Sequence, residues 1–74
     1  MDYFDDEVRG VQITLTKEPT PMPIHTMLIV GIDSKGETYE FCVDKKNYHV
    51  GDKIGVFGNV VYGDLIPTKV RKIS

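Results

Sequence analysis

Along most of this chain, apolar and polar residues alternate with a period of two, the signature of strands half-buried in a sheet. The alternation opens with Val11, Ile13 and Leu15 against Gln12, Thr14 and Thr16, predicting a first strand over about 9–17. A second segment, about 25–32, is apolar on both parities, with Leu28, Val30 and Ile32 on one and Met27 and Ile29 on the other. Such a strand is either central or covered on its second face. A third strand, about 37–43, sets Tyr39, Phe41 and Val43 against Thr38, Glu40 and Cys42. A fourth places Ile54, Val56, Gly58, Val60 and Tyr62 on one face and Lys53, Gly55, Phe57, Asn59 and Val61 on the other. A fifth is expected over about 65–73.

The residues between these runs act as punctuation. Pro19, Pro21 and Pro23 lack backbone donors, which excludes an interior strand and predicts a stiff, extended connector. Asp33-Ser34-Lys35-Gly36 reads as a hairpin loop, with Asp opening a type I turn and Gly36 in the left-handed position. The segment Asp44–Asp52 is too short for a full helix. Gly55 and Gly58 weaken a strand unless it bends there or another backbone comes close. Gly63-Asp64 suits a type II′ turn, and Pro67 points to an edge or a bulge. Five strands and no helix predict an all-β fold. A small barrel, closed or partly open, is favoured because closure removes exposed edges.

Composition narrows the class. At 74 residues and 41% apolar, the chain makes one small domain with one core and little room for a deep cleft, so a non-enzymatic role is expected. Cys42 is the only cysteine, which rules out an internal disulfide. Charged residues stand where a secretory signal needs an apolar run, and no apolar run is long enough to span a bilayer. A cytoplasmic, non-membrane protein is the expectation. The net charge of −2 hides an asymmetry. Residues 1–7, MDYFDDE, hold four acids and no base, whereas residues 8–74 hold nine bases and seven acids. The chain therefore divides into an acidic head, expected to be flexible, and a mildly basic domain over 8–74.

The stretch Val50–Ile73 carries Gly51-Asp52, then Ile54, Val56, Gly58 and Val60, then Val70 and Ile73 at the end of a basic-apolar tail. This pattern resembles the C-terminal half of OB-fold (oligonucleotide/oligosaccharide-binding) domains, and the upstream order of one long strand and a hairpin is similar too. An SH3-like barrel is the alternative, because Asp44–Asp52 leaves no room for the helix OB-folds usually carry there. The resemblance implies a ligand lying across strands two and three and the adjoining loops, with single-stranded DNA or RNA as the typical partner.

Binding a single strand takes cations for phosphates and exposed rings for bases. Among the rings Phe57, Tyr39, Tyr48 and Tyr62, Phe57 is the best candidate because its strand already has a core face without it. The competing expectation packs Phe57 beneath the Pro19–Pro23 connector or the acidic head. Tyr39 and Phe41 are expected in the core. Candidate phosphate contacts are Lys45, Lys46, Lys53, Lys69, Arg71 and Lys72, of which Arg71 alone offers a planar fork. Tyr3, Phe4, Asp5 and Asp6 are candidate contacts to a protein partner, or mimics of nucleic acid. The second function class is thus a protein-interaction module, an adaptor or inhibitor using a strand edge and the head. Self-association of copies is compatible with either class. His25, His49 and Cys42 lie in separate segments, so no metal, cofactor or catalytic constellation is expected.

Overall fold

The structure, a computed structural model, describes residues 8–73. They form six strands: β1 Val8–Leu15, β2 Thr20–Met22, β3 Thr26–Ile32, β4 Thr38–Asp44, β5 Lys53–Val61 and β6 Asp64–Lys72. All pairings are antiparallel and belong to one sheet. β1 pairs with β5 along its whole length up to Thr14, and its last two residues pair with Gly31 and Ile32 of β3. β3 pairs with β4 on its other edge, and β6 pairs with β5. β1 thus links two hairpins, β3–β4 and β5–β6. The outer edges of β4 and β6 approach across a cleft of about 300 Å³ with no ladder between them, so hydrogen bonds do not close the sheet on itself.

The proline segment is a sixth strand that periodicity did not reveal. Thr20, Pro21 and Met22 pair with Leu28, Met27 and Thr26 on the edge of β3, where missing donors are tolerated. The return to β3 is tight. Ile24 and His25 both take left-handed φ values, 60° and 56°. Asn or Gly normally fills such positions, because a β-branched side chain there collides with its own backbone. Ile24 is 89% exposed, so burial does not offset this strain. Ile24→Asn is therefore expected to raise stability by about 1 kcal/mol, and a thermal unfolding midpoint no higher than that of the parent chain would refute it.

The core lies on the concave side of the sheet. Ile13 and Leu15 of β1, Met27 and Ile29 of β3, Phe41 and Val43 of β4, and Ile54 and Val56 of β5 are all buried, together with Tyr48. Among the described residues no polar or charged side chain is buried, so the core has no desolvated charge to compensate. β3, apolar on both parities, turns Met27 and Ile29 inward and leaves Leu28, Val30 and Ile32 on the outer face.

At the β3–β4 turn, the Asp33 carboxylate accepts the N–H groups of Lys35 and Glu37 and the hydroxyl of Tyr39, and Gly36 has φ 84°, as the sequence suggested. The β5–β6 turn is shifted by one residue. Val61 pairs with Asp64, so Tyr62 and Gly63 form the turn, both with positive φ (52° and 83°), the type I′ pattern. Tyr62, expected on the core face, is instead fully exposed at the tip.

A bulge reshapes β6. Phe57 pairs with Lys69 but Gly58 pairs with Pro67, leaving Thr68 as the extra residue, and its hydroxyl lies 3.4 Å from the Phe57 carbonyl oxygen. Parity reverses across it, so Leu65 and Val70, an odd and an even position, both pack on the core. Gly58 is the contact point. A Cβ there would lie 2.7 Å from the Ile66 carbonyl carbon and collide with its oxygen, so only glycine lets the two backbones meet.

Candidate functional site

Register assigns the outer faces. Residues paired directly across strands share a face. Gly10 pairs with Phe57 and Phe57 with Lys69, while Gln12 pairs with Gly55 and Gly55 with Arg71. Thr14 pairs with Lys53. Phe57, Lys53, Lys69 and Arg71 therefore stand together on the convex face of β1–β5–β6. The sequences of β1 and β5 hold no acid, and β6 holds only Asp64 at its far start.

Phe57 does not pack under the proline connector. Its ring lies across Gly10, where a Cβ would come within 2.7 Å of it, and its edge borders Gly55 together with the Ile73 side chain. Two glycines thus make a floor for an aromatic ring that stays 39% exposed. The ring covers the backbone of Gly10 and stays partly open to solvent, which leaves it accessible to a stacking base.

The other candidates are placed elsewhere. Lys72 has the register of Ile54, and its ammonium lies 3.5 Å from the Asp52 carboxylate at the end of the sheet. Lys45 and Lys46 follow β4 and border a small hollow with Glu18, Pro21 and Tyr48, and Lys46 also lines the cleft between β4 and β6 that Lys69 lines. Tyr48 is buried in the core, and its burial pushes the phenol pKa up, so its ring is closed to a ligand. Tyr39 is half-buried and stacks on Phe41 with centroids 5.9 Å apart. Tyr3, Phe4, Asp5 and Asp6 lie outside the described residues.

The face of strands two and three that the resemblance favours is here the outer face of β3–β4, and it is not basic. It presents Leu28, Val30 and Ile32 beside Thr38, Glu40, Cys42 and Asp44, and neither strand contains Lys or Arg. Cations and ring have moved to the other hairpin. Sequence reading also missed the apolar neighbours of Phe57. Val61, Ile66 and Ile73 are exposed on or beside the same convex face, and Ile66 is there because the bulge reverses its parity. Pro67 was the only hint of that reversal.

Carboxylates brace the loops at one end of the sheet. Glu18 accepts the N–H of Val50 and lies 3.4 Å from His49 Nδ1, while Asp52 accepts the N–H of His49. Backbone donation, from Val50 to Glu18, from Glu37 to Asp33 and from His49 to Asp52, is the main cause holding all three carboxyls below their ordinary pKa values. Each group's contribution is present above the ordinary carboxylate range and is lost as pH falls through the lowered folded value. Acid should therefore loosen these loops in that window. Asp33→Asn should flatten the acid limb of a melting-temperature-versus-pH curve, and an unchanged limb would count against the assignment.

Searches against protein-family models, curated proteins and solved structures gave no match. Among the described residues, no cluster of His, Cys, Asp and Glu is arranged to hold a metal ion, and no helix is long and apolar enough to cross a membrane.

Proposed function

We infer that this protein is a non-enzymatic module of OB-like architecture that binds single-stranded nucleic acid on the convex face of β1–β5–β6. The observation that carries the reading is the gathering of Phe57, Lys53, Lys69 and Arg71 on one face of β1–β5–β6, strands whose single acid, Asp64, stands at the far start of β6. Support for the architecture comes from the strand order, in which a long β1 is shared between two hairpins and β4 faces β6 across an open seam. In this reading a base stacks on Phe57 while Lys69 and Arg71 meet the phosphates on either side. Arg71 supplies a bidentate fork and the lysines supply point charges.

A fluorescent oligothymidine at low salt tests it. With about three phosphates neutralised, log affinity should fall against log salt with a slope near −2. Phe57→Ala should cost about 1–3 kcal/mol of binding. Lys69→Gln with Arg71→Gln should flatten the slope, whereas Lys45→Gln should leave it unchanged. Absence of salt-dependent binding would overturn the reading. The second reading, a protein-interaction module, is favoured by one observation, the exposed Val61, Ile66 and Ile73 around Phe57. On that reading the apolar residues, rather than the cations, dominate affinity for the partner.

A further inference from the structure

Nine large hydrophobic residues are exposed among the described residues, and five of them, Phe57, Val61, Tyr62, Ile66 and Ile73, belong to the β5–β6 hairpin or its end. Register sets Phe57, Val61 and Ile66 on one face with Lys69 opposite Phe57 and Arg71 opposite Gly55, while Ile73 borders Gly55 and Tyr62 stands at the turn. A lasting exposed patch of this kind calls for an occupant. We propose that the occupant is the protein's own residues 1–7, MDYFDDE, seated on the convex face of β5 and β6, where they compete with a nucleic-acid strand for Phe57 and its cations.

Three features point to this segment. The first is complementarity. Tyr3 and Phe4 match the apolar residues, and Asp2, Asp5, Asp6 and Glu7 match Lys53, Lys69 and Arg71, which outnumber the one acid of this face, Asp64 opposite Val61. The second is position. The segment joins β1 at Val8, which pairs with Asn59, and Asn59 in turn pairs with Ile66, so the chain leaves the sheet at the flank of the patch. Phe57 is then about 7 Å away along β5, and Arg71, opposite Gly55, about 13 Å. The third is reach. Seven residues extend to about 23 Å, enough to reverse direction and still lay Tyr3 and Phe4 beside Phe57. Tethering supplies the rest, because a short flexible link holds a segment at an effective concentration in the millimolar range. Even a weak seat is then occupied much of the time, and more so at low salt, where the charges are less screened.

The competition rests on the nucleic-acid reading, but the seat itself does not, and the test separates them. Three proteins are compared: the full chain, a form lacking residues 1–7, and a full-length form with Asp2→Asn, Asp5→Asn, Asp6→Asn and Glu7→Gln. The last keeps chain length should the deletion fold poorly. In ¹⁵N amide spectra at low salt, both altered forms should differ from the full chain at Phe57, Asn59, Ile66, Lys69 and Arg71, and the differences should shrink at high salt. Differences confined to the first residues of β1 would overturn the seat. Differences that vanish on dilution would overturn it too, by placing the head on a second copy. With oligothymidine as probe, both altered forms should bind about three- to tenfold tighter, the gain expected when a tethered competitor is removed. Equal affinities for all three would overturn the competition. No binding by any of them would instead overturn the nucleic-acid reading, with the spectra still deciding the seat.

Discussion

Replacing Gly58 with alanine should cost about 3 kcal/mol or more, because the new methyl has no free space in any rotamer. Its position is set by the backbone, and it falls on the Ile66 carbonyl and within 2.9 Å of the Pro67 Cα. Those atoms belong to the bulged strand, so relief requires β6 to move away from β5. At roughly 0.05–0.15 kcal/mol per residue, a chain of 74 residues holds about 4–11 kcal/mol in all. Loss on this scale should lower the urea midpoint sharply. Gly36→Ala is the comparison. It also meets a positive φ, but nothing lies within 4 Å of its Cβ, so only the strain of about 1 kcal/mol applies. Similar midpoints for the two variants would mean that β6 does not approach β5 as described. A displaced β6 would also carry Lys69 and Arg71 away from Phe57, so ligand binding should fail with stability.

The second large effect is expected at Ile29. It is fully buried at the centre of β3, directly paired with Phe41 and packed among residues of β1, β4 and β5. Truncation to alanine removes buried methyl and methylene groups and leaves a cavity that paired strands cannot collapse, costing about 2–5 kcal/mol. For a domain of this size each kcal/mol moves the thermal midpoint by about 4–8 °C, so Ile29→Ala should melt at least about 8 °C lower. Leu28→Ala, one residue away on the outer face, should cost far less. Equal losses at the two positions would show that the outer face of β3 is covered as fully as the inner.

Much of the fold was legible in the chain. β1, β4 and β5 alternate cleanly, and the inward sets Ile13/Leu15, Phe41/Val43 and Ile54/Val56 are those that the alternation selects. The Asp33–Gly36 turn was equally legible, because the Asp side chain and the glycine φ act within four residues. β2 was not. A three-residue strand rich in proline has no period of its own and exists only because the edge of β3 is there to pair with.

The candidate site was legible residue by residue but not as a surface. Phe57, Lys53, Lys69 and Arg71 could each be singled out, yet so could Lys45, Lys46 and Lys72, which register does not place on that face. What separates the two groups is register, a relation between strands that no single strand encodes.

The sequence by itself determined that this chain forms antiparallel strands, where most of them turn, and which face of each cleanly alternating strand is apolar. These are local consequences of side-chain alternation and of glycine, proline and aspartate geometry. Only the tertiary structure decided which parity of β3 faces inward, that the bulge at Thr68 reverses β6, and that the cations and the exposed ring meet on β1–β5–β6 rather than on β3–β4. The reason is physical. Alternation repeats every two residues and is blind to a single extra one, whereas the close meeting of Gly58 with Ile66 fixes where that extra residue falls.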